Sequence, residues 1–265
     1  MNPSLRGNDA EESKRRILGI DFFSGSLPDA VLEASRGGLC VAPSGPGLAG
    51  DLLKCSFYSR AVTQADLVLP DSGLMCLWSN IFARKPIRRI SGLAFLRAYL
   101  FDKDASLDDA FWIMPDLEQS EANRQWIKKE LDLFIQDEAF YMAPMYAKTG
   151  SIEDLELLER IKKRRPKTIF IQLGGGVQER LGFYLRENLS FSSTILCTGA
   201  ALAFLSGKQA KIPNWVDRFY LGWLLPCLFN PTIFIPRYLK AFRLIGVLAK
   251  NGKSLPKVVE PFSQT

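Results

Sequence analysis

Two kinds of apolar run alternate along this chain. Short continuous runs, rich in β-branched and large apolar residues, fit buried strands at Arg16 to Ile20, Leu39 to Ala42, Leu67 to Leu69, Ala110 to Met114, Phe140 to Ala143, Thr168 to Leu173 and Thr194 to Cys197. Between them, apolar residues recur at helical spacing. The predicted helices are Leu27 to Arg36 (after a Ser26-Leu27-Pro28 start), a segment around Leu48 to Cys55, Met75 to Ala83, Leu93 to Phe101, Glu118 to Gln136, Ile152 to Lys163 with Ser151 as cap, Val177 to Leu185 and Gly199 to Leu205. Strands that alternate with helices predict an α/β fold, a mostly parallel sheet with helices on both faces. No internal repeat recurs at a fixed period.

After Gly207 the strands stop. Trp215 to Phe229 and Ile233 to Ala249 read as two helices joined at Asn230-Pro231, too apolar for a solvated appendage. The body, a partner or lipid has to cover them. The pattern divides the chain into a polar, disordered lead-in (1–14), a Rossmann-like body (15–208), a helical, membrane-associating appendage (209–250) and a flexible tail (251–265). The lead-in lacks the apolar stretch of a signal peptide, and no uninterrupted apolar run is long enough to span a bilayer.

Composition narrows the chemistry. There is no histidine among the 265 residues, which removes histidine bases, Ser-His triads and histidine-ligated metals. The cysteines, Cys40, Cys55, Cys76, Cys197 and Cys227, are odd in number and form no CxxC; all but Cys55 stand in apolar surroundings. They read as reduced, buried thiols of a cytoplasmic protein. Net charge is +6, but from Lys208 onward nine basic residues face two acidic ones, a net of +7 that leaves the rest at −1. A near-neutral body with a basic, aromatic tail suits an anionic membrane surface or a phosphate-bearing substrate. The tail's aromatics are spaced for helix packing and no recognition motif is present, so nucleic acid is not expected as a partner.

Four stretches could carry chemistry. Leu67 to Leu69 delivers Asp71 to a Ser72-Gly73 turn at a strand's carboxyl end, where open α/β sheets bind ligands. Asp71 could serve there as a general base, although on spacing alone a helix cap is the commoner use. Gly174-Gly175-Gly176 lies at a strand-to-helix turn, which lets backbone approach a phosphate; the plain alternative is a tight turn exposing Gln178 and Glu179. Arg84, Lys85, Arg88 and Arg89 form a basic loop that could hold a diphosphate or simply be solvated. The basic tail, with its eight aromatics from Trp215 to Phe242, fits an interfacial contact.

The order of these motifs resembles the WecG/TagA/CpsF glycosyltransferases (glycosyltransferase family 26), as a divergent member, from about Ile17 to Tyr238. Ala65 to Gly73 matches the family's Ala-Asp-Leu-Val-x-Pro-Asp-Gly segment with Ser72 intervening, and Arg89-Ile90-Ser91-Gly92 its Arg-x-x-Gly step. Gly174 to Glu179 matches Gly-x-Pro-x-Gln-Glu with Gly176 in place of proline, and Gly199 to Lys208 matches Gly-Ala-Ala-x-x-Phe-Leu-x-Gly-Lys. Pro213, Trp215, Arg218, Leu221 to Leu224, Pro231 and Arg237 to Leu239 follow its C-terminal pattern. The chain departs from the pattern at Ala42-Pro43-Ser44, Ala203, Gly222 and near Pro226.

The resemblance implies inverting, metal-independent transfer of a hexose or N-acetylhexosamine, with no cofactor. The donor is a UDP-sugar and the acceptor a polyprenyl-diphosphate-linked glycan, in exopolysaccharide or cell-wall synthesis at the inner face of the plasma membrane. It implies that Asp71 is the base, that Arg89 neutralises the leaving diphosphate, and that Gly174, Gly175 and Gln178 contact the nucleotide sugar. Ser44, Tyr146, Glu179 and Gly199 join the substrate-binding set, and Arg218 and Arg237 face phosphates from the tail. A second copy of the chain is a further expected partner. The rival expectation, motivated by the departures, is a non-catalytic sugar-nucleotide-binding or scaffolding subunit.

Overall fold

The computed structural model describes residues 13–82, 86–105, 107–207 and 242–259. Most of the appendage, with Arg218 and Arg237, lies outside the described residues, as do Arg84 and Lys85 and most of the lead-in.

Six strands form one parallel sheet: β3 (Gly38–Val41), β4 (Leu67–Val68), β5 (Ala110–Met114), β6 (Phe140–Met142), β7 (Thr168–Ile171) and β8 (Thr194–Cys197), in the spatial order β4-β3-β8-β7-β5-β6. Alternation along each strand feeds two cores. Leu39, Val41, Ile169, Ile171, Ile195 and Cys197 face one layer; Cys40, Phe170, Leu196 and Trp112 face the other. Trp112 and Phe170 stack across adjacent strands with ring centroids 4.0 Å apart. Helices α1 (Leu27–Ser35), α5 (Gly92–Leu100) and α6 (Leu117–Leu131) cover the second face. Helices α2 (Leu52–Lys54), α3 (Ser56–Thr63), α4 (Gly73–Phe82), α7 (Leu155–Arg164), α8 (Val177–Asn188) and α10 (Arg243–Asn251) contribute to the first, and α9 (Ala201–Leu205) follows β8 on the second.

The expected α/β architecture is therefore present, with local corrections. The predicted first strand, Arg16 to Ile20, is a hairpin outside the main sheet: β1 (Lys14–Ile17) pairs antiparallel with β2 (Ile20–Phe23). Leu18 and Gly19 turn between them at φ 52° and 74°. Positive φ at both turn residues is the twist-matched hairpin geometry. Leu18 tolerates it because its side chain is fully buried and because the C-terminal segment caps the turn, with Leu18 N–H donating to Gly252 O and Gly19 N–H to Lys253 O, each at 2.9 Å. Residues 252–259, read from sequence as the start of a flexible tail, thus run back along the body, where Val259 N–H also reaches Leu53 O.

The helix expected around Leu48 to Cys55 is a π-turn, Gly47–Asp51, followed by the single turn α2 and a break at Cys55, after which α3 follows unforeseen. Cys55 is buried in the core, contrary to its polar sequence neighbours. Asp154, not Ser151, caps α7, accepting Leu157 N–H at 2.9 Å. Helix α6 stops at Leu131, short of Gln136, because Asp132 is left-handed at φ 52°.

Helix α8 crosses the sheet closely at Gly182. A Cβ there would stand 2.7 Å from Cys197 Sγ and 2.8 Å from Leu39 Cδ1. Gly182→Ala is expected to destabilise the protein by about 1–3 kcal/mol through overpacking. Urea denaturation checks this, and a change under about 0.5 kcal/mol would show that the layers are looser than the geometry implies.

Candidate active site

After β3 the chain passes to α2 and α3 on the first face, whereas after the neighbouring strand β8 it passes to α9 on the second. Connections that diverge between adjacent parallel strands open a crevice at their carboxyl ends. The loops after β3, β4, β7 and β8 carry Ser44, Asp71, Gly174 to Gln178 and Gly199 to this edge.

Asp71 follows β4, and the cap question is settled by its neighbour. Ser72 Oγ, not the Asp71 carboxylate, accepts Met75 N–H at the start of α4 (3.3 Å). Asp71 Oδ1 instead accepts the Gly92 N–H at the start of α5, at 3.1 Å. Arg89 holds the same residue twice: Nε donates to Asp71 O at 2.7 Å and Nη2 lies 3.5 Å from Oδ1. Both side chains keep partial exposure, 16% for Arg89 and 24% for Asp71, so the pair sits at the rim rather than in the core. The Cys76 thiol beneath them is pushed up to about 12 by burial, which makes it inert. Of the basic loop, Arg89 turns inward and Arg88 is exposed.

Gly92 links this pair to β8. A Cβ on Gly92 would meet Thr198 O at 3.3 Å and Ala42 Cβ at 3.4 Å. One residue beyond, Gly199 N–H donates to Gln178 Oε1 at 2.6 Å. That backbone donor fixes the amide orientation of Gln178, so its Nε2 faces Glu179 Oε1 at 3.1 Å. Glu179 Oε2 in turn accepts Gly176 N–H at 2.7 Å. Gly176 holds φ 87° with Asp51 Oδ2 only 2.9 Å from any added Cβ, so this position needs glycine. Gly174 and Gly175 face open space, and a Cβ on Gly175 would lie 3.8 Å from Ser44 Oγ. Ser44 therefore stands opposite the glycine turn, in a loop tightened by Gly47 N–H to Ser44 Oγ at 3.4 Å.

The structure thus brings Asp71, Arg89, Ser44, Gly174, Gly175, Gln178 and Gly199 to one edge. The plain reading of an exposed Gln178 and Glu179 does not hold: they are 3% and 1% exposed. Burial pushes the Glu179 carboxyl up to about 7, aided by the Asp51 carboxylate and opposed by donors from Gly176 and Gln178. Burial also raises the Tyr58 phenol, with Glu179 and Asp51 adding to it.

Tyr146 is placed apart from that chain of contacts. Its hydroxyl donates to Asp154 Oδ2 at 2.6 Å, beside Tyr141 at 2.9 Å. Burial and these bonds raise both phenols. Tyr146 lines a cleft of about 800 Å³ at the edge of β6, whose walls include Arg124, Asp137, Glu153 and Arg160 but none of the residues around Asp71. What ties the cleft loop to the glycine turn is Arg180, which the sequence did not single out. Its guanidinium donates to Gly176 O (2.8 Å), Gly150 O (2.8 Å) and Ala147 O (2.7 Å). Helical position gave one hint: Arg180 lies four residues after Gly176, within reach of its carbonyl. Asp154, directly before the apolar Leu155, was legible as a cap by the same kind of rule.

A rim carboxylate gripped by arginine, at the same sheet edge as a glycine turn, can deprotonate a hydroxyl and stabilise a departing anion. The N-acetylglucosaminyldiphosphoundecaprenol N-acetyl-beta-D-mannosaminyltransferase of Bacillus spizizenii is 21% identical over 229 residues, which cover 84% of this chain and 85% of that one. The profile of the glycosyl transferase WecG/TagA/CpsF family matches residues 15–257, the carboxyl edge and C-terminal helix included. Over that span the motifs fall in family order and the described loops that carry them meet at one edge of a parallel sheet, so this chain belongs to the WecG/TagA/CpsF glycosyltransferase family.

Proposed function

We propose that this glycosyltransferase moves a hexose or N-acetylhexosamine from a UDP-sugar to a polyprenyl-diphosphate-linked acceptor, with inversion, in cell-wall or exopolysaccharide synthesis. The observation that carries the reading is the convergence of Arg89, Asp71 and Gly92, joined by hydrogen bonds, on Thr198, which Gly92 approaches closely, and on Gly199, which bonds Gln178. In this reading Asp71 takes the proton of the acceptor hydroxyl as its oxygen bonds to the sugar C1. The bond from C1 to the phosphate oxygen breaks on the opposite face, and UDP leaves with the electron pair. Arg89 and N–H groups of the glycine turn offset the charge on the diphosphate, so the residues supply what a metal would otherwise do. Ser44 and Gln178 orient the donor.

The B. spizizenii relative, named for a diphosphoundecaprenol acceptor, supports a lipid-linked acceptor here. Contact with the inner face of the membrane has support from the basic tail and from α4, whose Leu77, Ile81 and Phe82 are exposed. Among the described residues no helix is long and apolar enough to cross a membrane. A second reading, donor binding without transfer, rests on Ala42 and Ala203, both buried and apolar where the family often carries polar groups. One experiment separates the two. A panel of UDP-sugars is incubated with a polyprenyl-diphosphate-linked acceptor, and UDP release is followed. Turnover with one donor is expected; donor binding with no turnover across the panel would select the second reading.

A further inference from the structure

We propose that Glu179 is a positioning residue for the donor site, acting through Gln178 and the Gly176 N–H rather than touching the donor itself. This deepens the glycosyltransferase reading and rests on Gln178 being a donor contact. Glu179 is 1% exposed and both of its carboxylate oxygens already accept N–H groups of the chain, so its effect on the donor passes through those groups. Its two oxygens face two donors, Gly176 N–H at 2.7 Å and Gln178 Nε2 at 3.1 Å. The amide of Gln178 cannot flip to compensate, because Gly199 N–H already occupies its oxygen at 2.6 Å. One carboxylate therefore sets both the glycine turn and the direction of the remaining Gln178 N–H. Arg180 holds the same turn from the other side through Gly176 O.

The arrangement requires an acceptor at both oxygens, which the ionised carboxylate provides and the protonated carboxyl does not. Among the described residues, the charged and titratable groups around it are Asp51 from the π-turn, Tyr58 from α3, Arg180 from α8 and Cys197 from β8. Burial first, then Asp51, raise the Glu179 carboxyl to about 7 from an ordinary 4.5. The sign follows: above pH 7 the carboxylate is ionised and the turn is set; as pH falls through 7 it gains a proton and Gln178 loses its acceptor. Donor affinity therefore weakens on the acid side.

The test is titration calorimetry of the full chain with the UDP-sugar the panel selects, from pH 5.5 to 8.5, alongside initial rates. Wild type is expected to show a donor Kd that rises below about pH 7. Glu179→Gln places an NH₂ against one of the two donors. Its Kd at pH 8 should be about tenfold weaker, its pH dependence flat, and its kcat at saturating donor within about threefold of wild type, since the reacting groups are untouched. Asp51→Asn removes the neighbouring negative charge and should move the acid-side weakening to lower pH, which keeps the test decisive if Glu179→Gln does not fold. A Glu179→Gln protein with wild-type Kd and wild-type pH dependence overturns the inference and leaves the glycosyltransferase reading intact. So does an Asp51→Asn profile that does not move. A wild-type protein that binds no UDP-sugar overturns both.

Discussion

Asp71→Asn is expected to lower kcat by roughly 10²- to 10⁴-fold, the usual worth of a positioned general base, with donor Kd little changed. The substitution is nearly isosteric. The amide oxygen of the substituted side chain can still accept the Gly92 N–H that the carboxylate accepts at 3.1 Å, so the start of α5 is preserved and the loss isolates the charge. The chain contains no histidine to act in its place. The other carboxylate of the motif set, Glu179, is buried beneath the glycine turn. Single-turnover rates with saturating donor and acceptor measure the effect, and thermal melting within a few degrees of wild type confirms an intact fold. Full activity in Asp71→Asn would end the assignment of this residue as base.

Arg89→Ala is expected to cost about 10²- to 10³-fold in kcat, the typical loss when one preorganised donor to a developing anion is removed. Two things go at once. The Nε contact to Asp71 O, at 2.7 Å, fixes the backbone that aims the carboxylate, and the guanidinium supplies positive charge at the rim. Arg89→Lys separates them. A lysine keeps the charge but cannot serve backbone oxygen and carboxylate with a planar fork, so it should recover no more than a small part of the loss. Near-complete rescue by lysine would reduce Arg89 to a point charge, and an Arg89→Ala enzyme within threefold of wild type would remove it from leaving-group stabilisation.

The strands and most helices were legible because their signals are local. Ala110–Met114 and Thr194–Cys197 match their predicted spans to the residue, since a continuous apolar run of that length fits a strand buried on both faces. The hairpin at 14–23 was misread as one strand. Its turn uses Leu18 at positive φ, a conformation leucine adopts only because residues 252 and 253, far away in sequence, bond its peptide groups. The π-turn and the short α2 were misplaced for a related reason: Tyr58, from the following helix, crowds Gly47, where an added Cβ would stand 2.6 Å from its hydroxyl.

In the site, type and order were readable while geometry was not. The sequence by itself determined an α/β body with Asp71, the glycine turn and Gly199 each at the end of a strand, because strand termini and turn glycines follow from local periodicity and backbone sterics. It also determined that any base had to come from residues other than histidine. Only the tertiary structure decided that Ser72 caps α4 and leaves Asp71 to Gly92 and Arg89, that Glu179 is buried under Gln178 instead of exposed beside it, and that Tyr146 lines a cleft of its own. The Ser72 cap itself spans three residues, but Asp71 is taken up by partners 18 and 21 positions away, and the burial of Glu179 comes from elements distant in sequence, which no local pattern encodes.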